Sequence, residues 1–252
     1  MLLLPLLFAC EQIKDIKDTV QGLTNPLVVE AIYLGVQPPD VGSGIDLSGS
    51  DFARGSTLKA FLADAADADG LDEAPLAGAE LDLVSAANGG RLPLQDQGDG
   101  SYTANESEDG LAYASESVSL STELDEKQRT IGVQAPPPAD VTIADRHTAG
   151  QPMVVDISDQ DFDGLLVFVM GSGGSEPRYS NMPESIQDLY EFTHGGGELR
   201  VEIPASAFPS AGVYAVGVAA TRNSSADEME EVNTALSSFV AGKARFHAVV
   251  VE

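Results

Sequence analysis

The chain has 252 residues, with 40 acidic and 13 basic side chains and a formal net charge of −27. That balance argues against a nucleic-acid binder, which needs Lys and Arg to displace counterions from phosphate, and against peripheral adsorption to anionic lipid. One Cys excludes an intrachain disulfide and any multi-thiolate metal or iron–sulfur centre, while 43% hydrophobic residues over this length suffice for two cored domains.

Residues 1–10 read MLLLPLLFAC. The stretch 2–9 is apolar and uncharged. It is too short to span a bilayer, which takes about 20 residues, and it has the length of a secretory apolar region, about 7–15 residues. It ends at Cys10, the sole thiol. The pattern resembles the lipobox of bacterial lipoproteins, with Leu7 at −3 and Ala9 at −1; Phe8 at −2 is bulkier than usual, and no basic residue precedes the run. The resemblance implies cleavage after a signal peptide 1–9, diacylation of the Cys10 sulfur and acylation of the new amino group. Anchoring of this kind is stable because more than one chain inserts. The alternative is an apolar N-terminal strand that buries Cys10. Glu11 stands where an Asp would tend to hold an enteric lipoprotein at the inner membrane, which points to the outer membrane if the source is Gram-negative.

Residues 10–26 read as the lipidated Cys and a tether. Ile13, Ile16, Val20 and Leu23 fall at spacings of three and four, one short helical stripe, which Gly22 and Pro26 end. From there the period shortens to two, or to brief apolar runs between Gly, Asp, Asn and Pro clusters. Strands are predicted over 28–36, 57–62, 79–84, 100–104, 117–121 and 130–134. Three prolines at 136–139 favour an extended, semi-rigid spacer, and the domain boundary is placed there. Beyond it, strands are predicted over 141–143, 153–157, 164–170, 198–203, 212–220, 237–240 and 244–251, with short helical stretches at 183–192 and 226–232. Many short strands with frequent turn signals indicate sandwiches and not alternating β/α units. The expected fold is all-β: a β-sandwich over 27–135, a linker at 136–139 and a second β-sandwich over 140–252. Acidity is spread over both halves.

Gly100 and Tyr102, and again Gly212 and Tyr214, place Gly two residues before Tyr at the start of a predicted strand. This resembles the tyrosine corner of immunoglobulin-like domains, which implies that each hydroxyl bonds to nearby backbone. The stretch 75–104 also resembles bacterial transthyretin-like modules in its GA strand, Gly turn and Gly-Ser-Tyr-Thr.

Candidate chemistry is sparse. Asp159, Asp161, Asp163 and Gly164 match the first half of a Ca²⁺ loop, in which alternate carboxylates converge on one hard cation and Gly permits the turn. Met170 stands where the bidentate Glu belongs, so the other reading is an acidic turn entering a strand. A denser acidic loop holds Asp64, Asp67, Asp69, Asp72 and Glu73. His147, His194 and His247 are far apart and show no metal-ligand spacing, so each reads as a strand-end or loop residue. No nucleophile elbow and no phosphate loop is present, and no catalytic residue is nominated. The sequence therefore points to a lipid-anchored envelope protein acting as a non-enzymatic binding, adhesion or assembly module. Its partners would be the membrane, through the lipid, and an envelope protein or surface ligand. One variant of that reading is a Ca²⁺-stabilised surface adhesion module; the alternative from another class is a hydrolase built from scattered carboxylates.

Overall fold

The computed structural model describes residues 25–37, 56–65, 71–72, 74–85, 90–104, 117–171 and 176–252. Cys10 and its apolar leader, the helical stripe in 11–23 and most of the acidic loop 64–73 lie outside the described residues.

The fold is all-β. In the first half the strands are β1 (Leu27–Gln37), β2 (Ser56–Asp64), β3 (Glu80–Ser85), β4 (Arg91–Asp96), β5 (Ser101–Ala104), β6 (Ser117–Leu124) and β7 (Lys127–Gln134). The second half holds β8 (Arg146–His147), β9 (Met153–Asp156), β10 (Gly164–Gly171), β11 (Tyr179–Ser180), helix α1 (Ile186–His194), β12 (Arg200–Ile203), β13 (Gly212–Asn223), β14 (Met229–Glu230) and β15 (Ser238–Val251). β3 and β6 alternate buried and partly exposed residues, which is the signature of a half-buried strand. β10 is apolar on both faces, and β1 is apolar on both but for Glu30, because both faces are covered.

One ladder runs through both halves in the order β11-β10-β13-β15-β1-β2-β5-β4-β3-β6-β7-β14, with β8 against β15, and a separate pair is formed by β9 and β12. The first lobe is the β1-to-β7 part folded over a core that includes Tyr33, Tyr102, Leu83, Leu120 and Ile131. In the second lobe one face of β10-β13-β15 packs on β9-β12 through Ile157, Ile203, Phe208 and Val249. The opposite face, continued by β1 and β2, packs on α1 through Ile32, Phe168, Leu189 and Phe246.

β15 is the strand that joins the lobes. Its first half lies parallel to β1, from Glu30 opposite Ser238 to Gln37 opposite Arg245. Its whole length lies antiparallel to β13, from Asn223 opposite Val240 to Gly212 opposite Val251. Phe239 and Ala241 belong to the first lobe's core, Val249 and Val251 to the second's, and Val240, Ala244 and Phe246 to the layer under α1. The stretch around 136–139 is irregular, yet the sheet crosses from one side of it to the other.

Four local expectations are corrected. The strands expected at 237–240 and 244–251 are one strand, because Gly242 does not interrupt it. A Cβ there would stand 2.8 Å from the Ala220 carbonyl oxygen and 3.1 Å from Leu34, so Gly lets three strands close up. β4 is a strand despite Pro93, which lies opposite Asp82 in a part of β4 that β5, pairing from Leu94 onward, does not reach. Val141 and Ile143 pack on the second lobe's core without joining a ladder. The helix expected at 226–232 shrinks to one 3-10 turn, Ala226–Glu228, followed by β14.

Candidate functional site

The acidic turn predicted from sequence sits where β10 begins. Asp161 and Asp163 converge, but on a guanidinium. Arg222 Nη2 donates to Asp161 Oδ2 at 2.6 Å and also to the Asp161 carbonyl, and Arg222 Nη1 lies 3.8 Å from Asp163 Oδ1. Asp163 Oδ2 accepts from the Asn223 backbone N–H at 2.9 Å. Phe162 lies under the same guanidinium, 5.8 Å from centroid to Cζ. Arg222 holds the Asp161 carboxyl below its usual range, chiefly through the hydrogen bond and then through charge. Asp159 remains exposed. No group of three metal-ligating side chains forms among the described residues. Gly164 does not take a left-handed turn; it is the first residue of β10. A Cβ there would stand 2.5 Å from Phe192 and 2.8 Å from Thr221 Oγ1, so the glycine makes room for α1 to seat. The geometry is that of an acidic turn entering a strand, with its positive charge supplied from β13.

A second polar cluster was not foreseen. Glu30 lies in the middle of β1 on the face covered by α1 and is 0% exposed. Its Oε2 accepts from Ser238 Oγ at 2.6 Å, while Oε1 has no hydrogen-bond partner among the described residues. His194, the last residue of α1, places Nδ1 4.0 Å from Oε1, beyond hydrogen-bond reach. Its ring stacks on Tyr190 at 4.2 Å, and Thr193 Oγ1 is 2.8 Å from the same nitrogen. Asn223 Nδ2 donates to the Thr193 carbonyl, which ties this helix end to β13. Burial pushes the Glu30 carboxyl well above 4.5, against the smaller opposing pull of the Ser238 hydrogen bond. Burial also pushes the His194 imidazole below 6.5. Burial thus disfavours the charged form of both the acid and the imidazole above it. The signal for it was a lone acid inside the apolar run 27–36; His194 read only as a loop residue.

Helix α1 is positioned by its own chemistry. Ser185 Oγ accepts from the Asp188 N–H, and Asp188 reaches back to the Ser185 N–H, a reciprocal cap. Ile186 and Leu189 then point into the layer above the sheet.

Two shallow clefts border these features. One of about 230 Å³ lies between Pro136, Pro137, Arg222, Asn223 and Glu228. The other, of about 260 Å³, is lined by Lys59, Phe61, Asp72, Asp99, Glu184 and Ile186. Glu228 is occupied in a cap with Ser225. Asp99 is held below its usual range by Ser101, and so is not set up as a general acid. Among the described carboxyls, Glu30 is the one raised, and it lines neither cleft.

Of the two expected tyrosine corners, Tyr214 bonds to backbone four residues upstream, whereas Tyr102 bonds to backbone more than twenty residues away. Tyr214 Oη donates to the Ser210 carbonyl at 2.9 Å. Tyr102 Oη donates to the Leu76 carbonyl at 2.9 Å and accepts from the Ala79 N–H at 3.2 Å.

No protein-family model matches the chain, and no curated protein matches it. Among solved structures it is similar to a two-domain fibronectin type III segment of chicken tenascin, at 15% identity and a TM-score of 0.26, over 77% of this chain and 91% of that one. It is also similar to the FN1–FN3 domains of chicken CNTN1, at 10% identity and a TM-score of 0.24, over 87% of this chain and 63% of that one. The chicken interferon gamma receptor alpha chain overlaps at 11% identity and a TM-score of 0.24, over 77% and 92%. Overlaps this loose say nothing of what the chain binds; the all-β fold rests on its own strands.

Proposed function

We propose that the chain is a non-enzymatic binding, adhesion or assembly module of a bacterial cell envelope, held to a membrane by an acylated Cys10. The observation that carries this reading is the apolar, uncharged run 2–9 that ends at the only thiol of the protein. Three acyl chains on one residue give lasting attachment where one gives only marginal binding. The β-rich body supports the second part of the reading, since sandwiches hold variable loops on a rigid frame, which suits recognition. Its paired polar groups serve the frame: Arg222 neutralises the acidic turn at the surface, and Glu30 lies buried beneath α1. The net charge of −27 keeps the body off an anionic membrane, so the lipid is its only means of attachment.

The test is metabolic labelling with an alkyne-bearing fatty acid in a bacterial host, comparing the wild-type chain with Cys10→Ala. The wild type is expected to take up label and fractionate with membranes. The variant is expected to lose both while keeping the same β-rich circular dichroism. Equal membrane association of the two chains would contradict the proposal.

A further inference from the structure

We propose that Glu30 and helix α1 form a pH-sensitive cover, in which α1 seats over the Glu30 carboxyl and the demand of that carboxyl for water and charge loosens the helix from the sheet as pH rises. Glu30 is fully buried, and among the described residues one of its oxygens has no partner while the other accepts from Ser238 on β15. The groups facing it come from each packed element. From α1 these are Tyr190 and His194; from β13, the neutral Thr221 and Asn223 occupy the same face. From β2, Lys59 shares the face of Phe61, but its ammonium donates to the Glu184 carbonyl ahead of the helix. Among the described residues no group hydrogen-bonds to Oε1; His194 Nδ1, 4.0 Å away, stands at ion-pair distance. The cover itself is small. It is one nine-residue helix, fixed at its start by the Ser185 cap, resting on Gly164 through Phe192, and followed by Gly195, Gly196 and Gly197. Short elements with few buried contacts open locally at free energies below global unfolding.

The signs follow from linkage. A seated helix keeps the proton on Glu30, and a lifted helix returns the carboxyl to its ordinary value of 4.5. Opening is therefore favoured by about tenfold per pH unit above that value, until Glu30 ionises in place. His194 works in the other direction. Lifting lets the imidazole bind a proton, so its contribution to opening grows only as pH falls below 6.5. Tyr190, raised from 10.0 by burial and then by Glu30, acts only in the alkaline range. Between 6.5 and that range Glu30 acts alone.

Hydrogen exchange of the full chain tests this, with amide protection factors of residues 186–195 measured from pH 4.5 upward in the wild type and in Glu30→Gln, and β13 as the internal reference. The ratio of wild-type to variant protection in α1, from which the His194 contribution cancels, is expected to fall about tenfold per pH unit and then level off, while the ratio for β13 stays constant. A flat α1 ratio would overturn the proposal. The wild type alone gives a second test through the ¹³C resonance of the Glu30 carboxyl. Its midpoint is expected above 4.5, where the α1 ratio levels off, and a midpoint at the ordinary 4.5 would sink the idea even if the variant does not fold.

Discussion

Asn181 completes the outer edge of β10 with its side chain. Its Oδ1 accepts from the Val167 N–H at 2.7 Å, and its Nδ2 donates to the Leu165 carbonyl at 3.0 Å, so one amide stands in for a strand that β11 is too short to supply. Asn181→Ala strands both backbone groups and is expected to cost about 1–3 kcal/mol in denaturant unfolding; a neutral result would show that water satisfies this edge. The two tyrosines should differ. Tyr214→Phe loses one bond, whereas Tyr102→Phe leaves both the Leu76 carbonyl and the buried Ala79 N–H unmatched, and is expected to be the more destabilising by about 1 kcal/mol. The β6–β7 turn holds Asp125 at φ 53° and Glu126 at φ 60°. A two-residue hairpin loop of this hand favours Gly at its second position. Glu126→Gly is expected to raise stability by roughly 0.5–1 kcal/mol, and a loss would mean that the Glu126 side chain holds the turn.

At the scale of elements, β15 decides whether either lobe is stable. It lends Phe239 and Ala241 to the first core and covers the edge of β1, which is apolar on both faces but for Glu30. A fragment ending near residue 136 would expose that edge and lack those side chains. It is expected to show no cooperative unfolding transition, and a sharp transition in the isolated fragment would contradict the shared-strand account. Phe239→Ala, at a fully buried position, is expected to cost about 3–5 kcal/mol and to lower a single transition common to both lobes. These relations also mark what the sequence could and could not convey. β1, β3, β6, β10 and β13 announced themselves through alternation or unbroken apolar runs. β15 looked like two strands because the reason for Gly242 lies in Ala220 and Leu34, distant in the chain. β4 was hidden by Pro93, whose tolerance depends on how far β5 extends. Arg222 lies about sixty positions from the carboxylates it pairs with, so its place beside the acidic turn could not be read from the sequence. Glu30 is the lone acid of the run 27–36, but the layer that buries it, α1, is far along the chain.

For the whole molecule, a charge of −27 means that repulsion opposes compaction. Raising NaCl from roughly 0.01 M to roughly 1 M shortens the reach of that repulsion and is expected to raise Tm. CaCl₂ at matched ionic strength should add nothing further through Asp161, which is already paired. An extra Ca²⁺ increment that disappears in Asp161→Asn would show that a cation displaces Arg222. The same charge makes the N-terminal lipid the decisive feature of the proposed role, because a body of this net charge is repelled by anionic lipid. The most direct measurement is the intact mass of the chain extracted from membranes with detergent. The account predicts a mature protein beginning at Cys10 and heavier than its residues by the mass of the added lipid; an unmodified chain that still begins at Met1 would contradict it.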